Sequence, residues 1–439
     1  MPDLVVRGAT VVSAGLSQAD IAIEDGKIAA IGPELSGAAE EIDARGLHAF
    51  PGLIDVHLHF NEPGRTEWEG AATGSRALAA GGGTLFFDMP LNSTPCTVNA
   101  RAFDLKKAAL TMSSITDFGL WGGLIPGNVS EMAELAGRGV VGFKAFLCDS
   151  GLPEFPRADD FTLFEGLREA ARLGLPVAVH AESQELTAAR YGDSVRDFLA
   201  SRPVIAELEA IQRATLLARE AGAKLHIVHV SSGRGVALAA EARSQGTDVS
   251  IETCPHYLFF TEDDVERLGA VAKCAPPLRD ATEQERLWAQ LLGGEIDIVA
   301  SDHSPAPPEM KSGDFARAWG GIGGVQSTLS VMLDRGHHCR RMTLERISSL
   351  LAAEPARRFR IAGKGAIAVG MDADLTLVDL SGSAELRPEH LKQRHAISPY
   401  LGSSFRGVPV RTIRRGETIF EAGESTARSL GRFVRPSLS

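Results

Sequence analysis

Leu53-Ile54-Asp55-Val56-His57-Leu58-His59-Phe60-Asn61 is a short apolar run carrying two histidines one residue apart. On a strand, residues i and i+2 share a face, so both imidazoles point the same way. Two imidazoles on one face can grip a divalent ion; two histidines turned to core or solvent are the plainer alternative. The run follows Phe50-Pro51-Gly52, which reads as a turn, and precedes Asn61-Glu62-Pro63-Gly64-Arg65, which reads as a loop. The pair is therefore expected at a strand's C-terminal end, where parallel α/β proteins place their chemistry.

Outward from this run, strand-like segments alternate with helical patterns. Strands are expected at 53–59, 84–89, 117–125, 140–147, 175–181, 224–230, 247–256 and 296–302. Helices are expected between them, at 67–80, 97–110, 160–173, 204–222, 233–245 and 282–291. This is an α/β pattern with a parallel sheet, and eight strands are the number that closes a (β/α)8 TIM-type barrel; an open doubly wound sheet is the alternative. Residues 1–48 have a different texture of short β runs, with a hairpin signal at Asp25-Gly26. That texture returns over 363–439. The two ends are read as one small β-sandwich in two pieces flanking a barrel at 49–362, and the polar tail from about 425 is expected to fray.

Composition sets limits. Of 439 residues, 44% are hydrophobic and 23% charged, ordinary globular values. The net charge of 45 − 56 = −11 argues against a nucleic-acid surface. No apolar run approaches the ~18 residues of a membrane span. The Met1-Pro2-Asp3-Leu4 start carries no secretory pattern. Five scattered cysteines without a C-x-x-C fit neither a disulfide framework nor a zinc ribbon, so a cytoplasmic location is expected.

The other candidates for chemistry fall at the ends of the same strands. His180 closes Val177-Ala178-Val179-His180, His229 follows Ile227-Val228, and Asp302 follows Ile298-Val299-Ala300-Ser301. Lys144 lies in the apolar Val140-Val141-Gly142-Phe143-Lys144-Ala145-Phe146. Four histidines and an aspartate facing one barrel mouth suit two divalent ions, Zn²⁺ above all. Such a centre ionises water near neutrality, with a pKa of about 7 in the best case. An ammonium there would be repelled, and burial also favours neutral lysine. A neutral amine can add CO₂ to give a carbamate whose two oxygens bridge two ions; a salt-bridged or snorkelling Lys144 is the alternative.

Taken in order, these segments resemble the cyclic amidohydrolase branch of the metal-dependent amidohydrolase superfamily. The matching motifs are Asp55-Val56-His57-Leu58-His59, Phe143-Lys144-Ala145-Phe146, His180-Ala181-Glu182, His229-Val230-Ser231-Ser232 and Ser301-Asp302-His303. The split β domain matches too. The resemblance implies that His57, His59 and Asp302 bind one ion, that His180 and His229 bind the other, and that carbamylated Lys144 bridges them. It makes Asp302 the catalytic base that carries a proton to the leaving nitrogen. It also suggests a homotetramer. A metal-free scaffold homologue would be expected to have lost ligands, and this chain keeps all six.

Within the branch, dihydroorotases carry an arginine where this chain has Asn61, and hydantoinases and dihydropyrimidinases a tyrosine where it has Asp149. The strings Asn61-Glu62-Pro63-Gly64-Arg65-Thr66-Glu67-Trp68-Glu69-Gly70, Lys273-Cys274-Ala275-Pro276-Pro277 and Trp319-Gly320-Gly321-Ile322-Gly323-Gly324 resemble the allantoinase group more closely. The implied ligand is a small cyclic amide, allantoin first, with hydantoins, dihydropyrimidines and dihydroorotate as alternatives. Expected substrate contacts are Asn61, Asn92, Cys148, Asp149, Ala275 (through its backbone carbonyl), Ser304 and Gly320. His256 is expected beside the pocket, and His337 and His338 in solvent.

Overall fold

A computed structural model describes residues 1–13, 15–187 and 192–437. Its centre is a run of parallel strands: Leu53–Leu58, Gly83–Asp88, Asp117–Leu120, Phe143–Phe146, Pro176–His180, Lys224–Ile227, Val249–Thr253 and Ile298–Val299. The third strand breaks at Trp121 and resumes as Gly122–Gly123, so it pairs with the second strand on one side and the fourth on the other. An isolated parallel bridge from Leu58 to His303 links the first strand to the segment leaving the eighth. Most of these strands are buried along their whole length, as expected when both faces of a parallel sheet are covered.

The connections are helices whose spacing matches their burial. Asp160–Leu173 buries Leu163, Leu167 and Ala170, and Val204–Ala221 buries Ala206, Ala210, Ala214 and Ala218. Asn99, Asp159, Ser232 and Asp280 cap four of the helices by accepting from the N–H three residues on, a contact worth about 1 kcal/mol each. A further helical region over 325–358 went unread in the sequence. It contains two wide-turned segments, Met332–His338 and Ser349–Ala353, which break the 3.6-residue period. His337 and His338 lie in it half-buried rather than in open solvent, and His337 Nδ1 meets the Met342 carbonyl at 2.9 Å.

Both chain ends contribute to one nine-stranded sheet. The early strands join the late ones where His48–Pro51 runs antiparallel to Leu375–Glu385. Phe50 and Pro51 are thus strand residues and not a turn. Gly52 alone separates them from the first parallel strand, and its N–H donates to the Asp374 carbonyl at 2.8 Å. The hairpin at Asp25-Gly26 is present, with both residues in the left-handed region that such a two-residue turn requires.

The N-terminal ends of the parallel strands are stapled to that sheet by buried charge. Lys364 Nζ donates to Asp117 at 2.8 Å and Asp374 at 2.6 Å, with Asp372 at 3.0 Å. Asp117 also pairs with Arg415, and Thr84 donates to Asp374 at 3.1 Å. The C-terminal tail does not fray from 425. Gly431 N–H donates to the Ser114 carbonyl at 2.8 Å, and Val434 N–H to that of Phe118 at 2.8 Å. Phe433 packs against Phe103 and Phe118 with ring centroids 5.8 Å away in each case. An aromatic in a polar tail finds apolar surface to cover.

Candidate active site at the strand ends

The C-terminal ends of the parallel strands gather the ligand-type side chains. His57 lies in the first strand and His59 just past it; His180 ends the fifth, and His229 and Asp302 follow the sixth and eighth. The ring centroids of His57 and His229 are 5.3 Å apart, of His57 and His59 5.7 Å, and of His180 and His229 4.6 Å. Asp302 Oδ1 is 3.3 Å from His57 Nε2 and 3.5 Å from His59 Nε2. Ligand atoms of His57, His229 and Asp302 all fall within 4.8 Å of one another. The expected ligands therefore share one space.

Backbone shape marks the same spots. His229 and Asp302 are non-glycine residues at φ 41° and 44°, in the left-handed region. Asn61 and Asn92, on the loops after the first and second strands, sit at φ 62° and 67°. Side chains seldom adopt this conformation, which costs of order 1–3 kcal/mol and clusters at functional positions.

Neighbouring carboxylates fix which nitrogen each imidazole presents. Glu252, in the seventh strand, takes His57 Nδ1 at 2.7 Å, His226 Nε2 at 3.0 Å and the His229 backbone N–H at 3.1 Å. Glu182 takes His180 Nε2 at 2.7 Å and pairs with Arg202. That leaves Nε2 of His57 and Nδ1 of His180 for the site, the carboxylate–histidine arrangement that orients metal ligands. Asp55 accepts the N–H groups of His57 at 3.1 Å and Ser301 at 3.3 Å, joining the first strand to the eighth; burial pushes its carboxyl up to about 7.

Protonation favours a donor set. Burial holds His57, His180 and His229 below the ordinary histidine value, so they are neutral imidazoles, as ligands must be. Burial opposes charge on Asp302, but His57 and His59 hold its carboxyl below the usual range. At 14% side-chain exposure, Asp302 is open to the mouth, whereas Lys144 is fully buried. Burial pushes Lys144 down to about 8 although Asp302 and Glu252 pull the other way. Its Nζ and His229 Nδ1 are buried without a hydrogen-bond partner among the described residues. Buried polar atoms left this way are rare, and two beside a cluster of neutral imidazoles and a carboxylate fit divalent ions.

The expected substrate contacts divide. Asn61, Asn92 and Ser304 come together: Asn92 Nδ2 donates to Ser304 Oγ at 3.3 Å, and Asn61 Nδ2 approaches the Pro305 carbonyl at 3.4 Å, leaving Asn61 Oδ1 buried and unpartnered. Ala275 is half-buried and Gly320 exposed, on loops joined by the Gly321 N–H to the Lys273 carbonyl at 2.7 Å. Cys148 is buried, with its thiol within 4.8 Å of ligand atoms of His180 and Glu182. Asp149 is exposed, and its carboxylate accepts the Gly151 N–H at 3.0 Å in its own turn. His256 is buried, and burial pushes it down to about 4.

Residues 49–419 match the amidohydrolase family. Over 99% of its length the chain is 68% identical to the allantoinase of Solibacter usitatus, covering 97% of that protein. It is 60% identical to the allantoinase of Rubrobacter xylanophilus, covering 99% of this chain and 98% of the relative. Among solved structures, the L-hydantoinase (dihydropyrimidinase) of Arthrobacter aurescens superposes with a TM-score of 0.96 at 37% identity, over 99% of this chain and all of that one.

Proposed function

The chain belongs to the amidohydrolase family, and from that premise we propose that it is an allantoinase, opening the hydantoin ring of allantoin to allantoate. The observation that carries this reading is the identity to allantoinases along nearly the whole chain. Fold similarity cannot choose among cyclic amides, because a hydantoinase shares the architecture almost entirely. We read the parallel strands as a (β/α)8 barrel at 49–362 closed between the first and eighth, with a β-sandwich from 1–48 and 363–439. We read it as a cytoplasmic homotetramer acting on a small molecule without nucleic acid or membrane; among the described residues no helix is long and apolar enough to cross a membrane, and all five cysteines are free.

His57, His59, His180, His229 and Asp302 would hold two divalent ions, Zn²⁺ by donor type, with a carbamate on Lys144 between them. Such ions supply an ionised water near neutral pH and polarise the amide carbonyl. Asp302 takes up a proton at the carboxylate that faces the two Nε2 atoms and delivers it to the leaving ring nitrogen. Glu252 and Glu182 keep the imidazoles turned for binding. Asn61, Asn92 and Ser304 orient the substrate, with the main chain at Ala275 and Gly320. The unpartnered Asn61 Oδ1 supports a role in accepting an N–H of the ureido arm. Cys148 and Asp149 complete the expected substrate contacts from the loop after the fourth strand.

Parallel kinetics on allantoin, dihydroorotate, dihydrouracil and a 5-alkyl hydantoin test the reading. Allantoin is expected to have the highest kcat/KM. Dihydroorotate needs a cationic clamp for its carboxylate, and Asn61 offers only a neutral amide. An alkyl hydantoin leaves the polar contacts unpaired. Equal or better efficiency on another substrate would move the chain out of the allantoinase class.

A further inference from the structure

Between Ser304 and Ile322 the chain leaves the strand-eight end on a long excursion. The neck is closed by the Ser304 N–H donating to the Ile322 carbonyl at 3.0 Å. Gly321, at φ 150°, presses on Ser304 so closely that any side chain there would strike the Ser304 carbonyl. The excursion ends in Trp319 and Gly320. Trp319 packs edge-on against Trp68 at 4.9 Å, and Trp68 belongs to the loop after the first strand, next to Arg65 at 5.2 Å. The two loops thus meet as one rim, tied to Asn92 by the Arg65 guanidinium donating to its carbonyl at 2.8 Å and to Ser304 by Gly321.

Two lysines hold this excursion, neither with a carboxylate within 4.0 Å among the described residues. Lys273 Nζ donates to the carbonyls of Phe315 at 2.8 Å, Ala316 at 3.1 Å and Ala318 at 2.8 Å. Its ammonium also lies 5.1 Å from the Phe198 ring and 4.9 Å from the Phe315 ring. Lys311, inside the excursion, donates to the carbonyls of Ala270 at 3.2 Å, Trp319 at 2.8 Å and Gly321. Five of the six acceptors lie between Phe315 and Gly321. Burying ammonium groups without counter-charges is costly unless every proton is used, and here three acceptors meet each one. A staple for the core would grip core segments; these grip the limb that ends at the rim. The Trp319 indole N–H is buried without an acceptor among the described residues, so the rim it helps to form has a donor to spare.

We propose that Lys273 and Lys311 are positioning residues that clamp the 305–321 excursion by its carbonyls and so preform the substrate rim at Trp319 and Gly320. The inference rests on the reading of Gly320 as a substrate contact. The clamp is charged under acid conditions and weakens with alkali. Burial pushes Lys311 down to about 7, with Cys274 and Lys273 facing it, and Lys273 to about 8, with Arg202 and Asp314 facing it.

The test is Lys311→Met and Lys273→Met in the metal-loaded full chain, with the ring amide that the unmodified chain hydrolyses best. Each is expected to raise KM by ~10-fold or more while kcat stays within a few fold, the loss of a charge-assisted contact that acts on binding alone. Lys273→Arg should restore most of the lost affinity. The unmodified chain's KM should climb between pH 6 and 9, and that climb should flatten in Lys311→Met. The Trp319 emission, taken as the difference from Trp319→Phe, should shift to the red. An unchanged KM, or a fall in kcat equal to that in kcat/KM with metal content intact, would overturn the proposal. Failure of both variants to fold would also overturn it, because the lysines would then serve the fold and not the rim. The choice of substrate is judged separately, on the unmodified chain, so either idea can fail alone.

Discussion

Lys144 and Lys364 are both buried lysines, at opposite ends of the same parallel strands. Lys364 meets three carboxylates. Burial opposes its charge, yet Asp374, Asp117 and Asp372 outweigh that and hold it above the ordinary lysine value. Lys144 meets none at bonding distance among the described residues, and burial wins, bringing it down to about 8. Burial is common to both, so the partner decides which way the pKa moves. The same contrast runs through their surroundings. The Lys364 ammonium itself is met on three sides and fixes the sheet to the parallel strands. The Lys144 ammonium and the neighbouring His229 Nδ1 have no partner among the described residues. One end completes the fold, and the other is built to be completed by something else.

The sharpest way to break the comparison is to delete the unpaired lysine. Lys144→Ala should reduce turnover to background and cost one metal equivalent, measured by elemental analysis, while the denaturant midpoint of the metal-free protein holds or rises. Short carboxylic acids should recover part of the activity by supplying the missing anion. A Lys144→Ala enzyme with full metal content and normal turnover would place Lys144 in the same class as Lys364.

Glu252 sharpens the comparison from the other side, because it is a satisfied group inside the unsatisfied end. One oxygen serves His57 Nδ1 and the His229 backbone, and the other serves His226. Glutamine at 252 offers one acceptor where two are used. Glu252→Gln should weaken metal binding by about 10–100-fold in a chelator competition, the usual cost of an orienting partner. Unchanged affinity would mean that Glu252 packs the parallel strands and does not orient the imidazoles.

Much of the chemical end was legible because its residues stand at the ends of apolar runs, and period and punctuation reveal such ends. Glu252 was legible only as a letter in a motif. Its partner His57 is 195 residues away, and nothing local shows which way a strand carboxylate points. Asp149 reads as a pocket residue from its position after Lys144; the turn it closes by accepting the Gly151 N–H is a local contact that its sequence position alone does not reveal. The structural end was harder to read. The tail looked polar because Phe433 and Val434 are isolated apolar residues, and their docking site on the third strand is far away in sequence. The 325–358 helices escaped because their wide turns shift the apolar face.

The smallest effect on catalysis, and the clearest test of the stapled end, is expected of Lys364→Met. Methionine fills similar volume but removes the cation among Asp117, Asp372 and Asp374. Breaking a buried pair from one side leaves uncompensated charge and costs about 3–5 kcal/mol. The loss should depend on pH with a definite sign. In the unmodified chain, burial opposes ionisation of Asp117, but Lys364 and Arg415 keep its carboxyl below the usual value. Its contribution is therefore present above the unfolded carboxylate pKa of about 3.9 and is lost as pH falls through the lower folded value. Without Lys364, Asp117 keeps Arg415 and Asp372 keeps Lys27, but Asp374, which burial already holds above the usual carboxylate value against Lys364, shifts further upward, and the variant's stability falls as pH rises through that shifted value. The gap between the two proteins should be widest at pH 7–8 and should narrow toward pH 4–5, as the stranded carboxyls take up protons. Denaturant midpoints across that range measure it. The folded, metal-loaded variant should keep its kcat, since no contact of Lys364 reaches the strand-end cluster. A gap independent of pH would mean that Lys364 stabilises by packing alone, and a loss of kcat would mean that the two ends are coupled.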